Sequence, residues 1–366
     1  MDEFLFVLEQ TLGHRAHSRN LERVLEAESD FRAERFHIEF DPRGWERLPV
    51  MRNWSFRASW KARRWLDSRI RQQRPAAIFI HTQVASLLAR GIMARIPTVL
   101  SMDATPAAFD QIGRAYSHAP SHPVVEAAKR ALNRRSFAAA AGLVTWSSWA
   151  ADSLRHDYAV PAEAIRVIPP GVDLELFRPL ERKAGPSRRL LFVGGDLERK
   201  GGLDLIAAMA LLPPQVELDI VTASPAPPIP PGVTARVHHN LEPQSPELVH
   251  LFREADIFVL PTRGECFGQA IVEAMACSLP VVSTPVGAIP ELVREGDNGM
   301  LVTPGSPADL ARALRVLLDD RARRMAMGDA GLQMARRDHD MRRNNRAILA
   351  FMREVAARPV REVAPA

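Results

Sequence analysis

The chain has 366 residues, of which 46% are hydrophobic and 25% charged, and its formal net charge is +5 at pH 7. This composition is typical of a globular protein and excludes an intrinsically disordered one, and the length allows two domains of ordinary size. No apolar run approaches the ~20 residues that a membrane-spanning helix needs. Because the basic excess is small and no nucleic-acid-binding motif is present, nucleic acid is not an expected partner.

Short β-branched or aromatic runs alternate with helical patterns along the whole chain. The predicted strands are residues 4–8, 76–80, 98–101, 142–146, 165–168, 189–194, 216–222, 235–238, 256–260, 280–284 and 300–303. The predicted helices are residues 15–28, 84–95, 124–140, 202–211, 246–254, 307–319 and 341–357. This alternation predicts an α/β fold with parallel sheets, and the number of strands suits two doubly wound domains.

The predicted organisation is an N-terminal domain at 1–173, a linker at 174–188 and a C-terminal domain at 189–340. The segment ERKAGPSRR at 181–189 is polar, contains Gly and Pro and lacks periodicity, as is typical of a linker. The final helix, at 341–358, has an apolar stripe and is expected to pack back on the N-terminal domain. Residues 359–366 are expected to form a flexible tail.

The beginning of the chain and its two cysteines bear on location. MDEFLFVLEQ predicts a buried first strand rather than a signal peptide, because acidic residues flank its short apolar run. Cys266 and Cys277 fall at opposite ends of one predicted helix, which would separate them by roughly 16 Å, too far for a disulfide. These observations predict a cytoplasmic protein.

The segment 44–75 is rich in arginine and contains four tryptophans. Phe56, Trp60, Leu66 and Ile70 share a rough helix face, with basic residues beside it. One interpretation is a helix that lies on an anionic membrane and presents a lipid-linked acceptor. The other is an amphipathic helix whose tryptophans pack inward.

The stretch 261–292, PTRGECFGQAIVEAMACSLPVVSTPVGAIPEL, places Glu265 and Glu273 around the start of a predicted helix that follows a strand. Backbone N–H groups at such a helix start, together with the helix dipole, form an anion site that suits a diphosphate. Carboxylates beside this site would not bind the anion, but they can accept hydrogen bonds from hydroxyl groups on either side of it. A sugar joined through a diphosphate to a nucleoside has this layout. Two ordinary exposed glutamates are the alternative.

The residues E-CFGQAIV-EAMACSLPVVSTPVGAIPELV..G.NGMLV, within 256–302, resemble the C-terminal signature of the family 4 retaining glycosyltransferases. LVTWSSWAADSLRHDY, IRVIPPGVDLELF and LLFVGGDLERKGG resemble the same family, so the likeness covers roughly residues 140–320, and the first 140 residues match weakly. The resemblance implies the GT-B architecture, in which two Rossmann-like doubly wound domains face each other across a cleft.

The resemblance also implies roles for matching residues. Glu265 would contact hydroxyl groups of the donor sugar, Glu273 would hold the ribose, and Lys200 would neutralise the diphosphate leaving group. The distal phosphate would be held by backbone N–H groups near Phe267, Gly268 and Gln269. A solvated loop lysine is the alternative interpretation of Lys200.

Two positions depart from the family pattern. The second base that usually follows the strand glycine is replaced by Gly195 and Asp196, and Arg199 is expected to supply its charge. The family histidine near the reacting sugar is replaced by Asp103, in SMDATP. Asp103 would accept a hydrogen bond from a sugar hydroxyl or stabilise positive charge at the anomeric carbon, or it would only cap the turn before Pro106.

Gly13 and His14 form another predicted strand-to-helix turn. In the resemblance, the glycine lets this loop approach the diphosphate from the N-terminal domain. His14 would contact the phosphate or the acceptor, or it is a loop histidine with neither role.

No metal cofactor is expected, because Lys200 and the helix N–H groups would carry the leaving-group charge. The only Asp-x-Asp pattern, 338–340 in RRDHDMRR, lies in a basic segment and favours a plain helix start over a metal site. The resemblance therefore implies a metal-independent, retaining transfer of a sugar from a UDP- or GDP-sugar to a glycan, lipid-linked or small-molecule hydroxyl. A nucleotide-sugar epimerase and a non-catalytic nucleotide-sugar binding protein are the alternatives.

Overall fold

The computed structural model describes residues 2–11, 13–41, 46, 51, 53–118, 122–180 and 188–358. They divide into two compact units. The first unit comprises residues up to Phe109, residues 122–170 and residues from Arg342 onward, and the second comprises residues 110–118 and 171–341. Residues 181–187 of the predicted linker and the predicted tail, 359–366, lie outside the described residues.

The first unit is built on a parallel sheet whose strand order is β2-β1-β3-β4-β5-β6. Its strands are β1 (Asp2–Glu9), β2 (Phe31–Ile38), β3 (Ala77–His81), β4 (Thr98–Met102), β5 (Gly142–Thr145) and β6 (Ile165–Val167). Its helices are α1 (His14–Ala27), α2 (Trp54–Ile70), α3 (Arg90–Met93), α4 (Pro106–Ile112, which continues into the second unit), α5 (Pro123–Ala139) and α6 (Ser148–Tyr158). Short 3-10 turns lie at Gln83–Ser86 and Ala162–Ala164.

Helices cover both faces of the first sheet, as the strand sequences require. Successive side chains of a strand point to opposite faces, and β1 is apolar at every position from Phe4 to Leu8. Phe4 and Phe6 pack with α1 and with the last helix of the chain, α13 (Met341–Ala356). Leu5 and Val7 pack on the other face with α2, α5 and α6. The sheet is therefore buried on both sides, and only its edges and strand ends reach solvent.

The second unit contains a second parallel sheet, of order β12-β11-β10-β7-β8-β9. Its strands are β7 (Arg189–Val193), β8 (Glu217–Val221), β9 (Thr234–His238), β10 (Ile257–Leu260), β11 (Val281–Ser283) and β12 (Gly299–Leu301). Its helices are α7 (Gly202–Met209), α8 (Pro246–Glu254), α9 (Gln269–Ala276), α10 (Ile289–Leu292), α11 (Pro307–Asp319) and α12 (Arg321–Asp338). A 3-10 turn at Gly113–Tyr116 also belongs to this unit.

The strand orders define one switch point in each sheet. The chain builds outward from β1 to β2 and then returns to place β3 on the other side of β1. In the same way, β8 and β9 extend one side of β7, and β10 then pairs with its other side. In open parallel sheets, ligands bind beyond the carboxyl ends of the strands at such points. The turns after β1 and β3, and after β7 and β10, are therefore the places to look for sites.

All eleven predicted strands are present, with ends shifted by at most two residues. The structure adds β2, α4, α6, α10 and α12, which were not predicted. The prediction of one helix at 84–95 was wrong: a 3-10 turn at Gln83–Ser86 and the short α3 lie there instead.

Helix α2 lies in the Trp/Arg-rich segment 44–75, of which residues 44, 45, 47–50 and 52 fall outside the described part. The predicted common face was wrong, because Leu66 is fully buried in the core whereas Phe56 is exposed. Trp54 and Trp65 pack against the core. The face of α2 toward solvent carries Phe56, Trp60, Arg63, Arg64 and Arg71.

Candidate functional site

Two turns meet at the switch point of the second sheet, because β7 and β10 are neighbours. The turn after β7 contains Gly195, Arg199 and Lys200, and the turn after β10 contains Glu265. The backbone N–H of Arg263 donates to the carbonyl oxygen of Arg199 over 2.8 Å and fastens the two turns together. Residues 65 positions apart in sequence therefore share one site.

Lys200 and Glu265 form an ion pair and a hydrogen bond, with the Nζ of Lys200 donating to the Oε2 of Glu265. Both side chains are largely buried, with 15% of the lysine and 12% of the glutamate side chain exposed. An ion pair removed from water to this degree is screened less than a surface pair and holds both groups in place.

Two glycines make this close approach possible. Gly201 has φ +77°, and a Cβ there would lie 2.0 Å from the carbonyl oxygen of Pro261. Gly287 has φ +59°, and a Cβ there would lie 1.9 Å from the carbonyl oxygen of Glu265. Any side chain at either position would push the backbone apart, so both glycines are required by the geometry of the site.

Helix α9 begins directly after the turn that holds Glu265. Its N-cap residue is Gly268, with φ +99°, and among the described residues no side chain caps the helix start. The first N–H groups of a helix lack intrahelical partners and carry the positive end of the helix dipole. This helix start follows the turn of Glu265 and has the features of an anion site; that an anion binds there stays a prediction.

Glu273 lies in the middle of α9 and is only 6% exposed. Within the described part of the chain, its carboxyl group has no hydrogen-bonding or ionic partner. Burial raises the pKa of Glu273 to about 8, because the surroundings disfavour the charged form. The ordinary exposed glutamate considered as an alternative is excluded at this position.

Arg199 is engaged within the protein. Its guanidinium group donates to the carboxylate of Asp196 and to the carbonyl oxygen of Gly264, and it lies over the ring of Tyr116 at 4.3 Å. Only 7% of the residue is exposed. These contacts fix the turn that carries Glu265, so the structure shows Arg199 holding this turn.

The other predicted donor-binding residues differ in where they point. Phe267 is buried with its ring against His339, at a centroid distance of 6.0 Å. The side-chain amide of Gln269 donates to the carbonyl oxygen of Gly171 over 3.3 Å, whereas its Oε1 is buried without a hydrogen-bond partner. Gly195 is exposed, and a Cβ there would meet no atom within 4 Å. Among these described residues, Gly195 is exposed, whereas Gly268 at the helix start is buried against Ile271 and Leu292.

A second set of predicted residues lies in the first unit, at its own switch point. Gly13 is the N-cap residue of α1, and a Cβ there would meet no atom within 4 Å. His14 opens α1, and Asp103 directly follows β4. The Nε2 of His14 lies 3.7 Å from the Oδ2 of Asp103. The structure therefore brings these residues together, although their sequence separation gave no sign of contact.

Three further residues surround His14 and were not singled out from the sequence: His17, His81 and Trp146. The Nδ1 of His14 lies 2.7 Å from the Nε2 of His81, and the rings of all three histidines contact Trp146. A signal was present, since His81 directly follows one predicted strand, Trp146 ends another, and His17 lies about one helical turn after His14.

Metal binding has no support in the described residues, where no group of three or more His, Cys, Asp or Glu side chains is arranged to hold an ion. In the 338–340 segment, Asp338 pairs with Arg337, and His339 is buried. In the same part of the chain, no helix is long and apolar enough to cross a bilayer.

Comparison with known proteins identifies the family. The sequence model described as "Glycosyltransferase Family 4" matches residues 13–176, and that described as "Glycosyl transferases group 1" matches residues 187–320. The chain belongs to the family 4 glycosyltransferases. The first match includes the weakly matching N-terminal region, so the family relationship covers both units.

Among curated proteins, the chain is 32% identical over 225 residues to D-inositol 3-phosphate glycosyltransferase 1 of Catenulispora acidiphila. This alignment covers 54% of each protein, so the chain spans about half the length of the curated relatives it matches.

Solved structures with the same fold include sucrose-phosphate synthase from Thermosynechococcus elongatus, with a TM-score of 0.79 and 17% identity, covering 98% of this chain and 100% of that one. A structure of HepE from Anabaena in complex with UDP and glucose has a TM-score of 0.67 and 18% identity, covering 96% of this chain and 100% of that one. The predicted α/β fold of the GT-B class, with two Rossmann-like doubly wound sheets, is confirmed.

Proposed function

We propose that this protein is a retaining, metal-independent glycosyltransferase that moves a sugar from a UDP- or GDP-sugar to a hydroxyl group of a glycan, lipid-linked or small-molecule acceptor. The observation that carries the proposal is the contact between Lys200 and Glu265 at a switch point, beside the uncapped start of α9. An ammonium group, a carboxylate and a helix N-terminus in one place meet the needs of a departing diphosphate and a sugar hydroxyl.

In this proposal, Lys200 and Glu265 exchange partners when the donor binds. Lys200 would turn to the diphosphate, whose negative charge grows as the sugar leaves, and the helix start would hold the distal phosphate. Glu265, released from the lysine, would accept hydrogen bonds from hydroxyl groups of the donor sugar. The ion pair thus keeps both groups charged and in position until the substrate replaces each partner.

Glu273 would accept hydrogen bonds from the ribose. Its buried carboxyl group has no partner among the described residues, and a buried polar group without one is unfavourable. Ribose hydroxyl groups would supply the missing hydrogen bonds. The unfavourable burial in the free protein would therefore favour donor binding.

The other residues predicted to bind the donor would act in supporting roles. Gly195 would leave room for the diphosphate, because it borders open space. Gly13, at the start of α1, also borders open space, and its approach to a diphosphate stays a prediction. Arg199, Phe267 and Gln269 would shape the phosphate-binding turn through the contacts described above. Asp103 would accept a hydrogen bond from a sugar hydroxyl or stabilise the oxocarbenium-like transition state.

Names of similar proteins guide the choice of substrates to test. The HepE structure holds UDP and glucose, and the curated relative is named as an inositol 3-phosphate glycosyltransferase. UDP-sugars are therefore the first donors to test, and a phosphorylated polyol is the first small-molecule acceptor.

We also propose a cytoplasmic location with peripheral membrane contact through segment 44–75. Neither Cys266 nor Cys277 forms a disulfide with a described residue, and both are buried, which suits a reducing compartment. On α2, aromatic Phe56 and Trp60 lie beside Arg63 and Arg64 on the solvent face, the combination that favours an anionic bilayer surface. Flotation with vesicles containing phosphatidylglycerol tests the contact. Wild type should float and an R63E/R64E variant should not, whereas wild type that stays in solution contradicts the proposal.

The test of the transferase proposal has two steps. A thermal-shift panel of UDP, GDP and ADP identifies the nucleotide, and release of that diphosphate from its sugar conjugates is then measured with and without acceptors. Lys200→Ala should slow turnover by about a hundredfold, because an electrostatic contact to the leaving group is lost. Lys129→Ala is the matched control, since Lys129 is an exposed lysine paired with Glu126.

Retention of the anomeric configuration and independence of a metal ion are each tested separately. The anomeric configuration of the product, followed by NMR, should match that of the donor, and inversion would contradict retention. Activity should persist in excess EDTA if no metal takes part. If Lys200→Ala and Glu273→Ala both behave as wild type, the site is not where we place it.

A further inference from the structure

A chain of polar side chains runs along the carboxyl edge of the first sheet, at its switch point. His81 is the last residue of β3, which lies between β1 and β4. His14 follows β1 and Asp103 follows β4, so strand order brings the three side chains together. His81 is fully buried, whereas 13% of the His14 side chain and 21% of the Asp103 side chain are exposed. The chain therefore runs from the core to the surface.

The contact with Asp103 favours one placement of the ring protons of His14. Asp103 as a carboxylate can only accept, so the Nε2 that faces it at 3.7 Å carries hydrogen in the favourable state. The Nδ1 of His14 lies 2.7 Å from the Nε2 of His81. If His14 is neutral, Nδ1 accepts from His81; if His14 is charged, Nδ1 donates to it. In both states, the contact with His81 supports the orientation in which the Nε2–H of His14 is directed toward Asp103.

His81 is suited to positioning His14 because its own protonation state and ring orientation are both constrained. Burial, followed by the neighbouring histidines His14 and His17, lowers the pKa of His81 well below its ordinary value, so it stays neutral. Its ring stacks on Trp146 at 5.3 Å with an interplanar angle of 9°. The neighbouring carboxylate of Glu9 is engaged elsewhere, since it accepts hydrogen bonds of 2.5 Å from Thr11 and Thr82.

The exposed end of the chain offers one hydrogen-bond donor beside one acceptor. The separation of 3.7 Å between His14 and Asp103 exceeds a direct hydrogen bond but lets one oxygen atom contact both groups. A hydroxyl group matches this arrangement, because it accepts from the Nε2–H and donates to the carboxylate. A phosphate oxygen does not match this arrangement, because an ionised phosphate oxygen carries no proton that it could donate to the carboxylate of Asp103.

We propose that His14 and Asp103 together bind one hydroxyl group of a sugar substrate, and that His81 is the positioning residue that orients His14 for this contact. The inference rests on the proposed transferase function and deepens it by naming the chemistry recognised at this edge of the first unit. The hydroxyl belongs either to the donor sugar or to the acceptor, and the assays distinguish the two.

The first test is made on the wild-type protein and needs no substrate. In ¹⁵N-histidine-labelled protein, long-range ¹H–¹⁵N correlations report which ring nitrogens carry hydrogen, and a His14→Gln variant assigns the His14 signals. We expect the Nε2 of His14 to be protonated. A neutral His14 with hydrogen only on Nδ1 would overturn the proposal, whatever the enzyme's activity.

The second test uses variants at two equally buried histidines. His81→Phe keeps a flat ring against Trp146 but removes the nitrogen that contacts His14. His17→Phe is the matched control, because His17 is also buried against Trp146 and neither of its ring nitrogens has a hydrogen-bond partner among the described residues. His81→Gln, which can place an amide group near the position of Nε2, is the conservative rescue.

These variants are assayed with the nucleotide sugar that gives the most diphosphate release. We expect His81→Phe to raise one KM at least about tenfold, His81→Gln to restore most of this loss, and His17→Phe to have little effect. The raised KM is that for donor hydrolysis if the hydroxyl belongs to the donor, and that for the acceptor if it belongs to the acceptor.

A double-mutant cycle separates positioning from simple structural damage. In a His14→Gln background, His81→Phe should cause no further loss, because His81 acts through His14. Equal losses in His81→Phe and His17→Phe, or additive losses in the cycle, would overturn the proposal. Failure of the wild type to turn over any nucleotide sugar would instead refute the proposed function, and the NMR test of His14 would still stand.

Discussion

The buried carboxyl group of Glu273 gives a quantitative prediction about stability and pH. An unfolded chain would ionise this group with a pKa near the ordinary 4.5, whereas burial raises the pKa to about 8 in the folded protein. Between these values the folded state binds the proton more tightly than the unfolded state, so stability falls as pH rises. Each unit of pKa difference corresponds to about 1.4 kcal/mol.

These values set the size of the effect. The loss of unfolding free energy from this one group amounts to roughly 1 kcal/mol near pH 5, about 3 kcal/mol near pH 7 and about 5 kcal/mol above pH 9. A glutamine of similar size stays neutral at every pH. Glu273→Gln should therefore match the wild type closely at acidic pH and become more stable by about 3 kcal/mol near neutrality.

The assay must report on the second unit. All six tryptophans precede residue 150, so their fluorescence reports the first unit. Hydrogen–deuterium exchange of peptides from β10 and α9 under increasing urea, near pH 5 and near pH 7, measures the relevant stability once intrinsic exchange rates are corrected. Glu247→Gln, at an exposed glutamate of α8, is the control. A difference between Glu273→Gln and wild type that does not change with pH would refute the reasoning.

The same carboxyl group predicts a proton released on ligand binding. If ribose hydroxyl groups donate to Glu273, its charged form is favoured in the complex, and up to about one proton leaves near pH 7 for each nucleoside diphosphate bound. Calorimetry in two buffers of different ionisation enthalpy measures this release. It should disappear in Glu273→Gln, and enthalpies that do not depend on buffer in the wild type would contradict the contact.

Further predictions concern one histidine and one glycine. Burial lowers the pKa of His17 to about 3, so His17 takes up a proton when the first unit unfolds in acid. His17→Phe should therefore raise the unfolding free energy of the first unit by about 2 kcal/mol near pH 5 and by little at pH 8. Tryptophan fluorescence during urea unfolding measures this difference. Gly287→Ala should abolish most activity and lower the melting temperature, because its Cβ would collide with the backbone of Glu265. Gly296→Ala, also at positive φ but beside open space, should cost only about 1 kcal/mol and leave activity intact; equal effects of the two would contradict this.

Several of the correctly predicted strands have sequences that reflect burial on both faces. Every position is apolar from Phe4 to Leu8 in β1 and throughout β10, a pattern typical of strands covered on both faces. The missed strand β2 is an edge strand that reads FRAERFHI, and its arginines and glutamate lie partly in solvent. Helix α12 was missed because its two central glycines weaken a helical pattern. The structure uses one of them, Gly328, to pack against the backbone of Ser278, where a Cβ would lie 2.2 Å from the carbonyl oxygen.

The candidate site of the second unit was predictable in position but not in side-chain direction. Lys200 and Glu265 each follow a strand, and neighbouring strands bring their turns together, so their meeting follows from topology. Nothing in the sequence indicates that Arg199 turns to Gly264 and Tyr116, or that Gln269 turns to Gly171. Both depend on which backbone carbonyl groups the completed fold leaves within reach.

The contact between His14 and His81 in the first unit depends on strand order and not on a sequence motif. His14 and His81 are 67 positions apart in sequence, and they meet only because β3 pairs with β1 instead of with β2. That same pairing creates the switch point at which a ligand can enter. His14, from the turn after β1, lies beside the carboxylate of Asp103, which follows β4, and its imidazole can donate a hydrogen bond that an aspartate cannot. A hydrogen-bond donor and an acceptor are thus brought together from two strand ends by the order of the strands.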